Sequence, residues 1–298
     1  MNINSKIKIQ KIWLTDIEDD MFAKERFNSN NHGEQPDDYF QALEQTHTNR
    51  WIDQFQPFYH VINIDGSHME WLQEAWYMGR YTGKVPKAFK DKIDELCEEM
   101  KNKPFHDSIF DNNNKYFVRG ESVSLKSSVH GVGPYYNFKS IIEALVTCRY
   151  KHSVLKDSDY NGNGVKLYLF PWIEIHDSLE FRIFVHNGKI TCISQQDVYC
   201  RNEVLYGIDD YNDDEKRNEV CKKWVKTILD YFKSKIKKSI KMNSYSIDLA
   251  LIDGVKPYFI EANVFGKEYA AGSALFHWLK DEDKLYSDGS TVYFRYVL

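Results

Sequence analysis

The chain lacks any apolar run of membrane-spanning length, because no window approaches the roughly 20 apolar residues that a span requires. Its N-terminus, MNINSKIKIQKIW, carries lysines and never develops a signal-peptide core, so a cytoplasmic protein with no membrane partner is expected. The five cysteines, Cys97, Cys148, Cys192, Cys200 and Cys221, are odd in number and form no CxxC pair. That argues against a disulfide framework and against a zinc cluster, and it leaves reduced, mostly buried thiols. No HExxH occurs, so a histidine-bound metal has little support. A net charge of -5, from 39 Lys and Arg against 44 Asp and Glu, provides no global basic field for DNA or RNA. Internal repeats are also missing. What is present is apolar material for a sizeable core: 42% of the 298 residues are hydrophobic and 15% are aromatic. That length predicts two domains or one large two-lobed unit.

Residues 3 to 14 alternate Ile3, Ile7 and Ile9 with polar positions and read as a strand, and 28–38 is a polar loop. Segments near 37–56, 68–80 and 86–102 have helical spacing, as with Phe89, Ile93, Leu96 and Met100 in the last. Region 1–105 is therefore expected to be mostly helical, and it names no chemistry. The DNNN tract at 111–114 is a turn signal. From there strands and helices mix: a strand over Tyr116–Arg119, a loop over 122–134, a helix over 137–148, and strands at 165–175, 179–186 and 189–195. This predicts α/β or α+β layering. An acidic run at 209–215 precedes the clearest helix, 220–241, with Val225, Ile228, Leu229, Phe232, Ile236 and Ile240 on one face and eight lysines around the rest. Strands at 245–252 and 256–262 close the region through Asp253-Gly254, the strongest short hairpin signal in the chain.

Three oxygen-bearing side chains lie on that last hairpin. Glu261 and Asn263 share a strand face by period-two alternation, and the turn brings Asp248 across from them. Such a cluster suits Mg²⁺ held against a nucleotide. Upstream, Arg119 ends a strand and Lys126 follows within a loop rich in Ser and Gly, which supplies the cations and free backbone N–H groups that a polyphosphate needs. The aromatic strand carrying Phe170, Pro171 and Trp172 must reach a sheet edge or hinge at its proline. Glu180 and Arg182 share one face of the next strand, which leads to an Asn187-Gly188 turn.

In this order the blocks resemble the ATP-grasp fold, and within it the cell division cycle protein 123 family. The likeness rests on Glu180-Phe181-Arg182-Ile183-Phe184-Val185, on Ile193-Ser194-Gln195-Gln196-Asp197, on Glu261-Ala262-Asn263-Val264-Phe265-Gly266 and on Leu275-Phe276-His277-Trp278, and it covers roughly residues 115–280. Departures are visible. Arg119 and Lys126 exchange the family's lysine and arginine, Glu261 replaces its Asp, Val264 its Pro, and Gln196 the basic residue of its second block.

The resemblance implies an α+β fold whose two lobes, with mixed or antiparallel sheets, clamp Mg·ATP. Residues 106–298 would form the ATP-grasp domain, divided into a first lobe (106–168), a hinge (169–175) and a second lobe (176–298). It places Arg119 and Lys126 on the ATP phosphates, Phe170, Pro171 and Trp172 along adenine, Glu180 at the ribose and Arg182 near the γ-phosphate, with Arg182 and Lys126 as the catalytic pair if chemistry occurs. Asp248, Glu261 and Asn263 would hold Mg²⁺. The family's role, assembly of translation initiation factor two through its gamma subunit, is the function implied. The general fold offers another, an ATP-dependent ligase that joins a small-molecule acid to an amine through an acyl phosphate. A third class, an RNA-directed ligase, has only the lysines of the 222–241 helix in its favour, because Asp253-Gly254 lacks the lysine of a K-x-D-G motif.

Overall fold

The computed structural model describes residues 6–20, 27–28, 34–104, 106–111, 114–156, 164–208, 213–269 and 271–298. The start of the first expected strand, most of the first half of loop 28–38, the middle of the 111–114 turn and the front of the acidic run lie outside the described residues. The strands are β1 (Lys6–Ile12), β2 (His60–Ile64), β3 (Tyr116–Arg119), β4 (Val165–Pro171), β5 (Glu180–His186), β6 (Lys189–Gln195), β7 (Tyr245–Ile252), β8 (Lys256–Asn263) and β9 (Thr291–Val297). The helices are α1 (Leu14–Asp20), α2 (Tyr39–Glu44), α3 (Thr48–Phe55), α4 (Met69–Thr82), α5 (Lys90–Lys101), α6 (His106–Phe110), α7 (Phe138–Thr147), α8 (Glu203–Tyr206) and α9 (Asp214–Tyr231), with short helical turns at Lys237–Ser239 and Glu282–Leu285. The class is α+β. Two compact units form: Met1–Thr46 with Glu174–Leu298, and His47–Ile173.

In the unit His47–Ile173, an antiparallel sheet runs β2-β4-β3. One face is apolar: Ile62, Ile64, Val118, Val165, Leu167 and Leu169 bury against α4, α5 and α7. Helix α7 starts at Asn137, whose side chain accepts from the Ser140 N–H, a cap that orients the apolar face of FKSIIEALVT onto the sheet. The other face carries Phe117, Arg119, Tyr168 and Phe170, with Trp51 of α3 against Phe170. Pro171 ends β4 opposite Tyr116, beyond the last β2 pairing at Leu169, so its missing N–H costs the ladder nothing. The helical expectation for 37–56, 68–80 and 86–102 is met, but the N-terminal stretch also contributes β2, whose HVINI is too short for its alternation to stand out.

In the other unit, six strands run β1-β9-β6-β5-β7-β8. Pairings β1–β9 and β6–β9 are parallel, and those of β5 with β6, β5 with β7 and β7 with β8 are antiparallel. Both expected hairpins close on left-handed pairs: Asn187 and Gly188 at φ 49° and 68°, Asp253 and Gly254 at 53° and 73°. Those conformations match the twist of the flanking strands. On one sheet face Phe181 meets Trp224 of α9 and Phe294 of β9. Val225, Ile228, Phe232, Ile236 and Ile240 are buried, and a π-turn at Phe232–Ile236 shifts the helical phase between the two halves of this run. All eight lysines of 220–241 point to solvent. Four cysteines are buried and free and Cys200 is exposed; burial pushes the Cys97 thiol up to about 11 and that of Cys221 to about 12. No helix among the described residues is long and apolar enough to cross a membrane.

Candidate functional site

The sheet face opposite α9 carries a continuous polar row, one residue per strand. Gln10 pairs with Arg295, Arg295 with Ser194, Ser194 with Arg182, Arg182 with Asp248, and Asp248 with Glu261. Strand alternation alone would give each strand a polar face; register decides that these faces line up. Arg182 donates from Nε and Nη2 to the two Asp248 carboxylate oxygens at 2.9 and 2.7 Å, and from Nη1 to the Gly272 carbonyl at 3.0 Å. Both side chains are nearly buried, at 12% and 3% exposure. Gln196 Nε2 adds a longer contact to Asp248 Oδ2 at 3.4 Å.

Glu261 reaches its place across a bulge: the β7–β8 register shifts between Asp248 and Leu249, so that Ile260 is extra. Asn263 faces Ser246 two pairs further on, and its amide donates to Glu261 Oε1 at 3.4 Å. Asp248, Glu261 and Asn263 therefore share one end of the polar row. Burial raises the Asp248 carboxyl above the ordinary carboxylate range, with Arg182 pulling down and Glu261 pushing up. Arg182 is driven upward by Asp248 against the cost of its own burial and stays cationic. No cluster of three His, Cys, Asp or Glu that could hold a metal occurs among the described residues. The donor set is two carboxylates and one amide, and because Mg²⁺ keeps water and phosphate ligands, such a set suits it.

Glu180 opens β5 two residues before Arg182, half-buried, and its carbonyl accepts the Gln196 N–H at 2.9 Å. In the unit His47–Ile173, Arg119 is 1% exposed and lies 5.1 Å from the Trp51 ring centre. The next two residues are tied to α3: Thr48 Oγ1 donates to the Gly120 carbonyl at 2.7 Å, and the Asn49 N–H donates to the Glu121 carboxylate at 3.1 Å. Tyr168 also donates to Glu121 at 2.5 Å. Lys126 is exposed on the following loop, where Ser127 Oγ accepts from the Arg149 N–H at 3.0 Å. Phe170 is buried beside Phe117, Pro171 is exposed, and the Trp172 N–H donates to the Lys115 carbonyl at 2.8 Å.

Sequence reasoning did not single out Ser194, Gly272, Asp281 or Arg295. Ser194 receives the Leu275 N–H at 3.0 Å, and Arg295 donates to the Leu275 carbonyl at 2.9 Å and to Asp281 at 2.6 and 2.8 Å. The Leu275-Phe276-His277-Trp278 block is thus fastened over the polar row by its backbone. Backbone acceptors leave no trace in side-chain identity, so only the block's own hydrophobic residues were visible.

Residues 139–298 match the family model described as D123. Cdc123 from Schizosaccharomyces pombe has a similar structure, with a TM-score of 0.57 and 16% identity over 86% of this chain and 97% of that one. A C-terminally truncated form of the same protein superposes with a TM-score of 0.56 at 15% identity, over 86% of this chain and 97% of that one. At such identities the likeness concerns the fold. A Candida albicans (strain SC5314 / ATCC MYA-2876) protein named "Translation initiation factor eIF2 assembly protein" is 29% identical over 119 residues, which is 40% of this chain and 31% of that protein. The match therefore spans less than a third of that relative's length.

Proposed function

Because the chain belongs to the D123 family, we propose that it is an ATP-grasp-type assembly factor that binds Mg·ATP and acts on translation initiation factor two, through the gamma subunit, in the cytoplasm. The observation that supports it most is the buried Arg182–Asp248 pair with Glu261 next in register, which sets carboxylate oxygens beside a fixed cation at one end of the row. Asp248, Glu261 and Asn263 would hold Mg²⁺, which when bound neutralises phosphate charge. Arg182, its guanidinium held by Asp248 and the Gly272 carbonyl, orients the Asp248 carboxylate and would add positive charge beside the phosphates. Arg119 and Lys126 would meet phosphate oxygens, Arg119 prepositioned by Trp51 and by the α3-anchored turn that follows it. Phe170, Pro171 and Trp172 would flank adenine, and Glu180 would accept from ribose hydroxyls. In this reading residues 106–298 carry the ATP-grasp domain and 1–105 contribute to it.

Reconstitution tests this. The full chain with Mg·ATP should accelerate association of the gamma subunit with the rest of translation initiation factor two, and Glu261→Gln should not. ATP occupancy without turnover is expected. ADP release that requires an added acid and amine would replace the assembly reading by the ligase one. Failure to bind ATP at all would remove both.

A further inference from the structure

Helix α4 buries Trp71, Leu72, Ala75 and Trp76 yet leaves Tyr77, Met78 and Tyr81 exposed at 45%, 53% and 80%. Tyr150, in the turn after α7, is 61% exposed and stacks on Trp76 with ring centres 6.0 Å apart. The two segments can approach this closely because residue 79 is glycine: a Cβ there would lie 2.1 Å from the Val146 carbonyl oxygen. Trp76 is locked beneath by its N–H donating to the Cys148 carbonyl at 2.7 Å.

Arg80 sits among these rings. Its guanidinium carbon is 4.7, 4.7, 4.6 and 5.6 Å from the ring centres of Trp76, Tyr77, Tyr81 and Tyr150. Nη2 donates to the Tyr81 hydroxyl at 2.8 Å, and Nε is buried without a hydrogen-bond acceptor. Rings, not a carboxylate, hold this cation. Lys84 follows four residues later and Arg149 and Lys151 flank Tyr150; all three are exposed, and none of the four cations is paired with a carboxylate among the described residues.

We propose that this aromatic and cationic surface of the unit His47–Ile173 docks a partner protein through a segment in which carboxylates are mixed with aromatic side chains. The composition is that of a binding hot spot, where Trp, Tyr and Arg dominate and a charged rim steers the partner. Charge complementarity selects an acidic partner. Nucleic acid is the less fitting polyanion, because the guanidinium at the centre of the patch, that of Arg80, is already taken up by four rings. The proposal uses no residue assigned to nucleotide and stands without that assignment.

The probe is fluorescein-labelled random poly(Glu,Tyr), followed by anisotropy with the full chain. Saturable binding is expected, weakened at least about 10-fold by Tyr81→Ala/Tyr150→Ala and restored by Tyr81→Phe/Tyr150→Phe. Charge reversal with Lys84→Glu/Arg149→Glu/Lys151→Glu should weaken it comparably at low salt. If circular dichroism shows the alanine variant unfolded, the reversal variant, changed only at exposed side chains, decides alone. Absence of binding, unchanged affinity in the folded variants, equal binding of poly(Glu), or tighter binding of poly(U) would each overturn the proposal.

Discussion

Arg182 and Arg295 occupy the same row of the six-stranded sheet with only Ser194 between them, and each holds one carboxylate and one carbonyl of the segment that crosses the row. Arg182 takes Asp248 and Gly272; Arg295 takes Asp281 and Leu275. Arg295 is closed off, its remaining Nε donating to Gln10 at 2.8 Å, whereas the Arg182 end continues to Glu261 and Asn263. The Arg295 half of the row fastens the crossing segment, and the Arg182 half carries the carboxylates of Asp248 and Glu261.

Asp248→Asn should leave Arg182 buried without a counter-charge and cost about 3–5 kcal/mol of stability, the usual penalty for breaking a buried pair. Urea denaturation read at equilibrium measures it. A loss below about 1 kcal/mol would mean that water reaches the pair.

Glu261 and Asn263 are only half-buried, so Glu261→Gln and Asn263→Ala should barely move the urea midpoint. Calorimetric titration with ATP should show at least about a tenfold loss of affinity in the presence of Mg²⁺ and little change when EDTA is present. Equal losses under both conditions would place these residues on the nucleotide and not on the metal.

Burial alone would raise the Asp281 carboxyl, but hydrogen bonds and charge from Arg295 and Lys284 bring it below the ordinary range. A folded value below the unfolded one, about 3.9, contributes stability that is fully present above about pH 4 and is lost as pH falls through the folded value. Melting temperature against pH should show Asp281→Asn less stable than wild type at neutral pH, with the gap narrowing below about pH 4. A gap independent of pH would show that Asp281 acts through shape and not charge.

Gly254 has φ +73° in the β7–β8 turn that sets Asp248 opposite Glu261. Gly254→Ala should cost about 1–2 kcal/mol, because a Cβ is disfavoured there, and Gly254→Asn distinctly less. Equal costs would show that the turn relaxes to another type and that its conformation does not hold the register.

What the amino-acid order settled by itself was local. Asn187-Gly188 and Asp253-Gly254 turn where expected because left-handed backbone is cheapest at those residues, and the hairpin that Asp253-Gly254 closes carries Asp248 to Glu261. Alternation likewise put Glu180 with Arg182 on one face of β5, and helical spacing marked the buried side of α9, whereas β7 is buried on both faces. The tertiary structure alone decided the parallel pairing of β1 with β9, which joins residues near both ends of the chain, and the short β2 in a stretch that otherwise reads as helix. It also turned Arg119 inward onto Trp51 and fastened Arg182 to Asp248 and to the Gly272 carbonyl. A turn's preference is stored in two residues, whereas these long-range pairings gain their energy only when several strands have already lined up, and no short window of sequence contains that sum.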